Sequence, residues 1–159
     1  MPEHDIVELD RVDRLLLAAL QQDARLSVAE LAERVALTQS PCWRRIHRLQ
    51  QAGLISGYHA RLDLRKLGFG VHGFVQLHLE NHAPKIALAV ERELVALPQV
   101  IAAHNLSGHY DYQVEVVARD MEDFALLLRE RICVIPGVKE VHSSFVLREL
   151  KSGTAIDLR

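Results

Sequence analysis

Residues 27–53 carry the sequence SVAELAERVALTQSPCWRRIHRLQQAG, which contains the signals of two short helices separated by a break. The first helix is predicted to begin at Ser27, because Ser27 and Glu30 have the spacing of a capping box, in which each side chain accepts a hydrogen bond from the other residue's amide. The second is predicted to start at Ser40, with Pro41 in its first turn and a glycine at its end. Two helices joined in this way predict a helix-turn-helix unit.

The second of these helices has an apolar stripe and a basic face. At about 100° per residue, Cys42, Ile46 and Leu49 fall on one side, which we expect to be buried. Arginines occupy the other sides, and residues 36–62 contain no acid to compensate them. Because a guanidinium can bond the two acceptors of guanine or a phosphate, this face predicts contact with double-stranded DNA. The alternative is the solvated basic face of a three-helix bundle. The candidate DNA-binding residues are Thr38, Gln39, Ser40, Arg44, Arg45, His47 and Arg48.

The charge of the whole chain is nearly balanced. Its 159 residues include 19 Lys and Arg and 21 Asp and Glu, which excludes a uniformly cationic coat but not a local basic patch. No apolar run approaches the roughly 18 residues of a membrane span, and no secretory signal opens the chain, so we expect a cytoplasmic protein without membrane contact.

Cys42 and Cys133 are expected to be reduced and buried. Only His78 and His82 approach metal-ligand spacing, without a third ligand nearby, so neither a metal nor a cofactor is expected.

The second half of the chain alternates strand and helix patterns. Apolar residues recur every second position in Val75–Leu79 and in Tyr112–Ala118, which is the period of half-buried strands. A further strand is predicted near residues 100–106, and a last alternation occurs at 141–147. Two amphipathic helices between the strands complete the order β-α-β-β-α-β. This order predicts a ferredoxin-like domain whose antiparallel sheet has both helices on one face.

The complete prediction is an α+β protein with an N-terminal winged helix-turn-helix domain and a C-terminal ferredoxin-like βαββαβ domain. The first domain is assigned to residues 9–62 and begins with a helix over 10–22. Residues 54–62 are predicted to be a short extended piece or a hairpin with a turn at Ser56-Gly57. The glycine-containing residues 63–70 are the predicted linker, and residues 71–159 form the predicted second domain.

A family resemblance covers nearly the whole chain. Residues 9–63, LDRVDRLLLAALQQDARLSVAELAERVALTQSPCWRRIHRLQQAGLISGYHARLD, closely resemble the N-terminal domain of the Lrp/AsnC transcription regulators. The stretches SGHYDYQVEV (107–116) and PGVKEVHSSFVLRELK (136–151) are similar to the family's effector domain. Ala36 is a departure, since the family usually has Gly there. If that position needs a left-handed turn, Ala costs about 1 kcal/mol.

The resemblance implies a regulator of amino-acid metabolism or transport genes whose C-terminal domain binds a small-molecule effector, an amino acid. The residues fit that chemistry: Ser107-Gly108 offers exposed amides for a carboxylate, Asp111 can accept from an ammonium, and Tyr110 and Tyr112 offer aromatic walls. The alternative is that these residues only build a hairpin turn, with Tyr112 in the core. The candidate effector-binding residues are Ser107, Gly108, His109, Tyr110, Asp111 and Tyr112.

The resemblance also implies a homodimer that assembles further, up to an octamer. Val117 and Val146 have no obvious place in the domain's own core and are candidates for a subunit interface.

Two other functions remain open. One is an enzyme like the sirohaem decarboxylases that resemble this architecture, against which the arginine face argues. The other is a stand-alone ligand-binding module. No nucleophile–base pair or paired catalytic carboxylates are evident, so we expect no enzyme activity.

Overall fold

The computed structural model describes residues 7–151, 153 and 155–158, which form two compact units. The first unit comprises the chain up to Arg61 together with the segment from Lys151, and the second is Leu62–Leu150. This division differs from the predicted second domain, residues 71–159, at its end, because the C-terminal segment groups with the first unit. The second unit also includes residues 63–70, the predicted linker. There the Gly70 amide donates to the Arg119 carbonyl at 3.0 Å.

The described part of the first unit contains three helices, as the pattern predicts. They are α1 (Arg11–Gln22), α2 (Val28–Arg34) and α3 (Gln39–Gln51). The capping box of Ser27 and Glu30 at the start of α2 is confirmed, and a second one, of Asp10 and Asp13, opens α1. The helix α3 begins one residue before the predicted Ser40. The buried stripe of Cys42, Ile46 and Leu49 is confirmed.

The turn between α2 and α3 is left-handed at Ala36, where φ is +53°. The Leu37 amide donates to the Ala32 carbonyl at 2.9 Å, a bond that spans five residues and commonly accompanies a left-handed residue after a helix. The same arrangement ends α3, where Gly53 has φ +71°. Gly53 therefore stops α3 as predicted, and Ala36 occupies a backbone conformation that suits glycine better.

Residues 54–62 form no strand, and no turn occurs at Ser56-Gly57. The hairpin alternative for this segment, which would supply a wing beside the helices, is therefore wrong. The segment is irregular chain that leads into the second unit. Within the described residues, no helix combines the length and the apolar character that crossing a bilayer requires.

The second unit has the predicted β-α-β-β-α-β order. Its elements are β1 (Val71–Leu79), α4 (Pro84–Val95), β2 (Val100–Asn105), β3 (Tyr112–Ala118), α5 (Met121–Leu127) continued by a π-helical turn (Leu128–Ile132), and β4 (Val138–Phe145). The strands form one antiparallel sheet in the order β2-β3-β1-β4. This is the strand order of the ferredoxin-like fold, so the predicted architecture is confirmed.

The core of the second unit lies between the sheet and its two helices. Alternate residues of β1 and β3, such as Val75 and Val114, are fully buried and pack in one cluster with Val90 of α4 and Phe124 of α5. The opposite face of the sheet is largely polar. It carries a hydrogen bond of 2.6 Å between His72 and Glu115. The strands therefore do not present an apolar second face that another part of the protein or a partner would have to cover.

Two predictions about buried residues need correction. Val117 is only 4% exposed, so it is not an exposed candidate for a subunit interface, whereas Val146 is half-buried. Both cysteines are free, as expected, but only Cys42 is buried, and Cys133 is exposed. Burial raises the pKa of the Cys42 thiol, which therefore stays protonated near neutral pH.

Candidate functional sites

The outward side of α3 presents the predicted DNA-binding side chains to solvent. Arg44, His47 and Arg48 are exposed, and Arg45 is half-buried. Trp43, which is 54% exposed, stacks on His47 with a ring-centroid distance of 5.0 Å and an interplanar angle of 7°. The helix thus buries its Cys42 stripe and offers a mixed cationic and aromatic surface, which is the composition of a surface that contacts nucleic acid.

Two of these arginines are bound to carboxylates of α1. The Nη1 atom of Arg45 lies 2.5 Å from Asp10 Oδ2 and 2.9 Å from Asp13 Oδ1. The Nη2 atom of Arg48 contacts Asp13 Oδ2. The expectation that no acid compensates this face is therefore wrong. It holds only for residues 36–62, and the compensating carboxylates come from 32 or more positions earlier in the chain.

Hydrogen bonds and charge shift the pKa of Asp10 and that of Arg45 in the direction of their ion pair. The Asp13 amide, followed by the Arg45 guanidinium, lowers the pKa of the Asp10 carboxyl below its ordinary value. In return, Asp10 and then Asp13 raise the pKa of Arg45. Asp10 and Arg45 are therefore both charged at neutral pH.

Arg44 differs from its neighbours, because within residues 7–151 it forms no hydrogen bond or ion pair. The start of α3 is also open. Thr38, Gln39 and Ser40 are exposed, and the Thr38 hydroxyl makes no capping bond. The amides of a first helical turn lack partners inside the helix, so this end of α3 offers donors to a phosphate.

The predicted effector loop lies between β2 and β3, and Asp111 closes it. The Asp111 carbonyl accepts from the Leu106 amide at 2.8 Å, and the Asp111 amide donates to the Leu77 carbonyl at 2.9 Å. Its carboxylate accepts from the Leu79 amide at 2.8 Å through Oδ2. The other oxygen, Oδ1, lies 3.4 Å from His82 Nδ1. One carboxylate oxygen of Asp111 is therefore bonded to the end of β1, and the other faces the exposed His82.

Ser107 and Gly108 at the tip of the loop are exposed. Gly108 does not have a positive φ, and a Cβ placed on it would meet no atom within 4 Å. The loop conformation itself therefore does not require glycine at this position. A requirement for glycine would have to come from something that approaches the backbone from outside.

Tyr112 is only 3% exposed and belongs to the core. Its hydroxyl donates to Glu91 Oε1 at 2.8 Å, and burial is the main cause that raises its pKa. The prediction of an aromatic wall at Tyr112 is therefore wrong, and the core alternative holds. Its alternating position in β3 could have indicated this, since it shares the parity of Val114 and Val116.

A cluster of rings surrounds the predicted loop and includes two residues that the sequence did not single out for this site. His78 of β1 lies 4.8 Å from His109 and 5.1 Å from Tyr110 by ring centroids. His142 of β4 lies 5.4 Å from Tyr110. The positions of His78 and His142 on neighbouring strands bring them beside the loop. Only the strand pairing, which the sequence does not specify, could have indicated this.

An exposed cationic helix in a helix-turn-helix unit, joined to a ferredoxin-like unit with an open polar loop, defines a class of DNA-binding proteins with a separate ligand-binding unit. The AsnC-type helix-turn-helix domain matches residues 9–50, and the Lrp/AsnC ligand binding domain matches residues 72–156. The chain belongs to the Lrp/AsnC family of transcriptional regulators. It is a DNA-binding regulator with a ligand-binding domain, which confirms the predicted class.

Similar proteins cover nearly the full length of the chain. The DNA-binding transcriptional activator DecR of Escherichia coli is 35% identical over 150 residues, which is 94% of this chain and 99% of DecR. The Bkd operon transcriptional regulator of Pseudomonas aeruginosa is 36% identical, over 91% of this chain and 95% of its own. The crystal structure of the transcriptional regulator NMB0573 of Neisseria meningitidis in complex with L-Met has a TM-score of 0.90 and 32% identity, over 94% of this chain and 96% of its own. Escherichia coli AsnC has a TM-score of 0.85 and 26% identity, over 94% and 99%.

Proposed function

We propose that α3 enters the major groove of an operator and that its outer residues read it. Arg44 carries this proposal, because it is an exposed guanidinium without a partner in residues 7–151 on the second helix of the helix-turn-helix unit. The second helix of such a unit is the one that enters the major groove. Arg45, His47 and Arg48 lie on the same helix beside it. Thr38, Gln39 and Ser40 place open amides and hydroxyls where a phosphate would lie.

The test measures binding to a duplex selected from a random library by the unmodified protein. Arg44→Ala should weaken binding by about 1–3 kcal/mol if the guanidinium bonds a guanine. Arg34→Ala is the matched control, because it removes an exposed arginine from α2 rather than from α3. An Arg44→Ala protein that binds the selected duplex like the Arg34→Ala control would contradict the assignment.

We further propose that the loop of Ser107, Gly108, His109, Tyr110 and Asp111 binds an amino-acid effector. The exposed amides at Ser107-Gly108 suit the carboxylate, Asp111 Oδ1 suits the ammonium, and the rings of His109 and Tyr110 suit the side chain. Tyr112 would support the loop from the core. The structural likeness to NMB0573, which was solved with L-Met, supports an amino acid as the ligand class.

A thermal-shift screen of the twenty amino acids tests this proposal, because a ligand that binds only the folded state raises the melting temperature. Gly108→Ala should then abolish the shift caused by the active amino acid while leaving the melting temperature of the free protein unchanged, since the added Cβ meets no protein atom. A Gly108→Ala protein with a normal ligand shift would remove this backbone from the site.

The domain assignment and the assembly also remain proposals. We retain residues 9–62 as the DNA-binding domain, but end the effector-binding domain near Leu150, since the segment from Lys151 groups with the first unit. A homodimer would place two copies of α3 about one helical turn of DNA, roughly 34 Å, apart. Light scattering at micromolar concentration should show a species larger than a dimer, and a monomer would contradict this.

We propose that the chain acts as a regulator in the cytoplasm, where the bacterial chromosome lies, and not as an enzyme. DecR is named a transcriptional activator, the Bkd protein and NMB0573 are named transcriptional regulators, and an exposed Arg44 would have no role in a scaffold. A turnover assay with sirohaem tests the competing decarboxylase hypothesis. Product formation would contradict the proposal.

A further inference from the structure

We propose that Asp13 of α1 is a positioning residue for DNA recognition, which fixes the guanidinium groups of Arg45 and Arg48 and, together with Asp10, cancels their net charge. The inference rests on the proposed role of α3. The observation behind it is a buried carboxylate shared by two arginines of the reading helix. Asp13 is fully buried, and its side chain is only 1% exposed.

The Asp13 carboxylate has both oxygens occupied. Oδ1 accepts from Arg45 at 2.9 Å, and Oδ2 accepts from Arg48 and from the Asp10 amide, the latter at 3.2 Å. Within residues 7–151 and the described tail, Asp13 is the sole charged or polar residue in the buried class. Leaving one partner of such a contact unpaired in the interior is costly, so the contact constrains both arginines strongly.

The exposure of the partners shows that the cluster is not sealed off from DNA. The side chain of Arg45 is 31% exposed and that of Arg48 is 53% exposed, whereas Asp13 is inaccessible. Each arginine side chain is therefore partly accessible while one nitrogen of its guanidinium is bonded to Asp13. Because a guanidinium has five donors in a fixed fork, it can bond a carboxylate and still donate to a base or phosphate.

The charges of the cluster sum to zero, because Asp10 and Asp13 oppose Arg45 and Arg48. A neutral cluster attracts the phosphate backbone less than two free arginines would. Affinity for any duplex, whatever its sequence, depends on this attraction and on counterion release, whereas discrimination among sequences depends on where the donors point. Asp13 thus lowers the affinity for DNA of any sequence, and it fixes the directions in which the guanidinium groups of Arg45 and Arg48 donate.

The experiment compares Asp13→Asn with Asp23→Asn. Asp23 belongs to the same unit and also lies in an ion pair, with Arg25 at 2.9 Å, so both variants remove one negative charge from that unit. Affinity is measured at several salt concentrations for the selected duplex and for an unrelated duplex, on proteins whose circular dichroism shows them to be folded.

Asp13→Asn should make the dependence of log affinity on log salt for the unrelated duplex steeper by about 0.9, the value of one additional phosphate contact. Its preference for the selected duplex should fall by roughly fivefold or more, which corresponds to the loss of one directed base contact. Asp23→Asn should change neither quantity. A purely structural role would lower the stability of the fold without changing the salt dependence of the folded protein.

Asp10→Asn covers the case in which Asp13→Asn does not fold. Asp10 is half-exposed, and Asn is an equally good helix cap, so this variant removes one carboxylate from Arg45 and leaves α1 intact. It should also make the salt dependence steeper. If folded Asp13→Asn, or Asp10→Asn in its place, matches Asp23→Asn in slope and preference, the inference is overturned.

Arg44→Ala in the same series separates this inference from the function on which it rests. Weakened binding by Arg44→Ala, together with an unchanged slope in the aspartate variants, contradicts the role of Asp13 alone. Unchanged binding by both Arg44→Ala and Arg48→Ala contradicts α3 as the reading helix.

Discussion

At the scale of single residues, the ion pairs of α3 could not be predicted from the sequence. The arginines of α3 are evident in the sequence, but the carboxylates that pair with Arg45 and Arg48 lie at the start of α1. Helical periodicity relates positions three or four residues apart, and it says nothing about positions that only the packing of two helices brings together. Which arginine of α3 has no partner among the described residues, here Arg44, therefore depends on tertiary structure.

Ala36→Gly should raise the free energy of unfolding of the first unit by about 1 kcal/mol, because Ala36 holds φ at +53° and glycine adopts that conformation without a Cβ clash. Urea denaturation measures the change. Ala29→Gly, inside α2, is the control, and it should lower the same free energy by about 1 kcal/mol. Destabilisation by both glycines would contradict a strained turn at Ala36.

The pKa of Asp23 is about 2, and the side-chain hydrogen bond from Arg25 is the main cause. A carboxyl whose pKa is lower in the folded than in the unfolded protein stabilises the fold above the unfolded value, near pH 4, and loses that contribution as the pH falls toward 2. Arg25→Ala should return the pKa of Asp23 toward its ordinary value, as measured by NMR titration. Arg34→Ala should shift the pKa of Asp23 far less, since the charge of Arg34 is the smallest of the causes that lower it. Equal shifts in the two variants would contradict this assignment.

At the scale of elements, capping and alternation predicted most of the fold because they are local. The capping box of α2, the glycine at the end of α3 and the alternation in β1 and β3 all appear in the structure. The π-helical turn Leu128–Ile132 could not be predicted, because its residues are also compatible with an α-helix. The turn is widened by the Cys133 amide, which bonds the Leu128 carbonyl at 2.8 Å. The extra residue leaves Arg131 exposed and buries Ile132.

The entry into β4 depends on Gly137, which has φ +99° and lies against α4. A Cβ at this position would lie 2.3 Å from Ile86 Cγ2, closer than any real contact. Gly137→Ala should therefore lower the free energy of unfolding by about 2–4 kcal/mol, through backbone strain and overpacking together. Gly68→Ala is the control for strain alone, since Gly68 has φ +88° and open space around it. Equal losses in the two variants would exclude the contact with Ile86.

At the scale of the whole molecule, the chain passes between its two units twice. It leaves the first unit after Arg61 and returns to it at Lys151. The returning segment bonds α1, where the Gln21 side chain both donates to the Ile156 carbonyl at 3.2 Å and accepts from the Ile156 amide at 2.8 Å. Arg14 donates to the Leu158 carbonyl at 3.2 Å. The sequence does not indicate this contact, because a side chain that bonds backbone atoms leaves no pattern in the partner's residues.

Gln21→Ala should release this segment, because it removes both bonds to the Ile156 backbone at once. The Ile156 amide should then exchange its hydrogen with deuterated solvent at least severalfold faster, since an amide protected only by a local contact exchanges when that contact opens. The free energy of unfolding should fall by no more than about 1–2 kcal/mol, the usual contribution of exposed hydrogen bonds. Gln22→Ala, at the next and also exposed position of α1, should leave Ile156 exchange unchanged. Because the contact is local, unchanged Ile156 exchange in a folded Gln21→Ala protein would show that Gln21 does not hold the segment in solution.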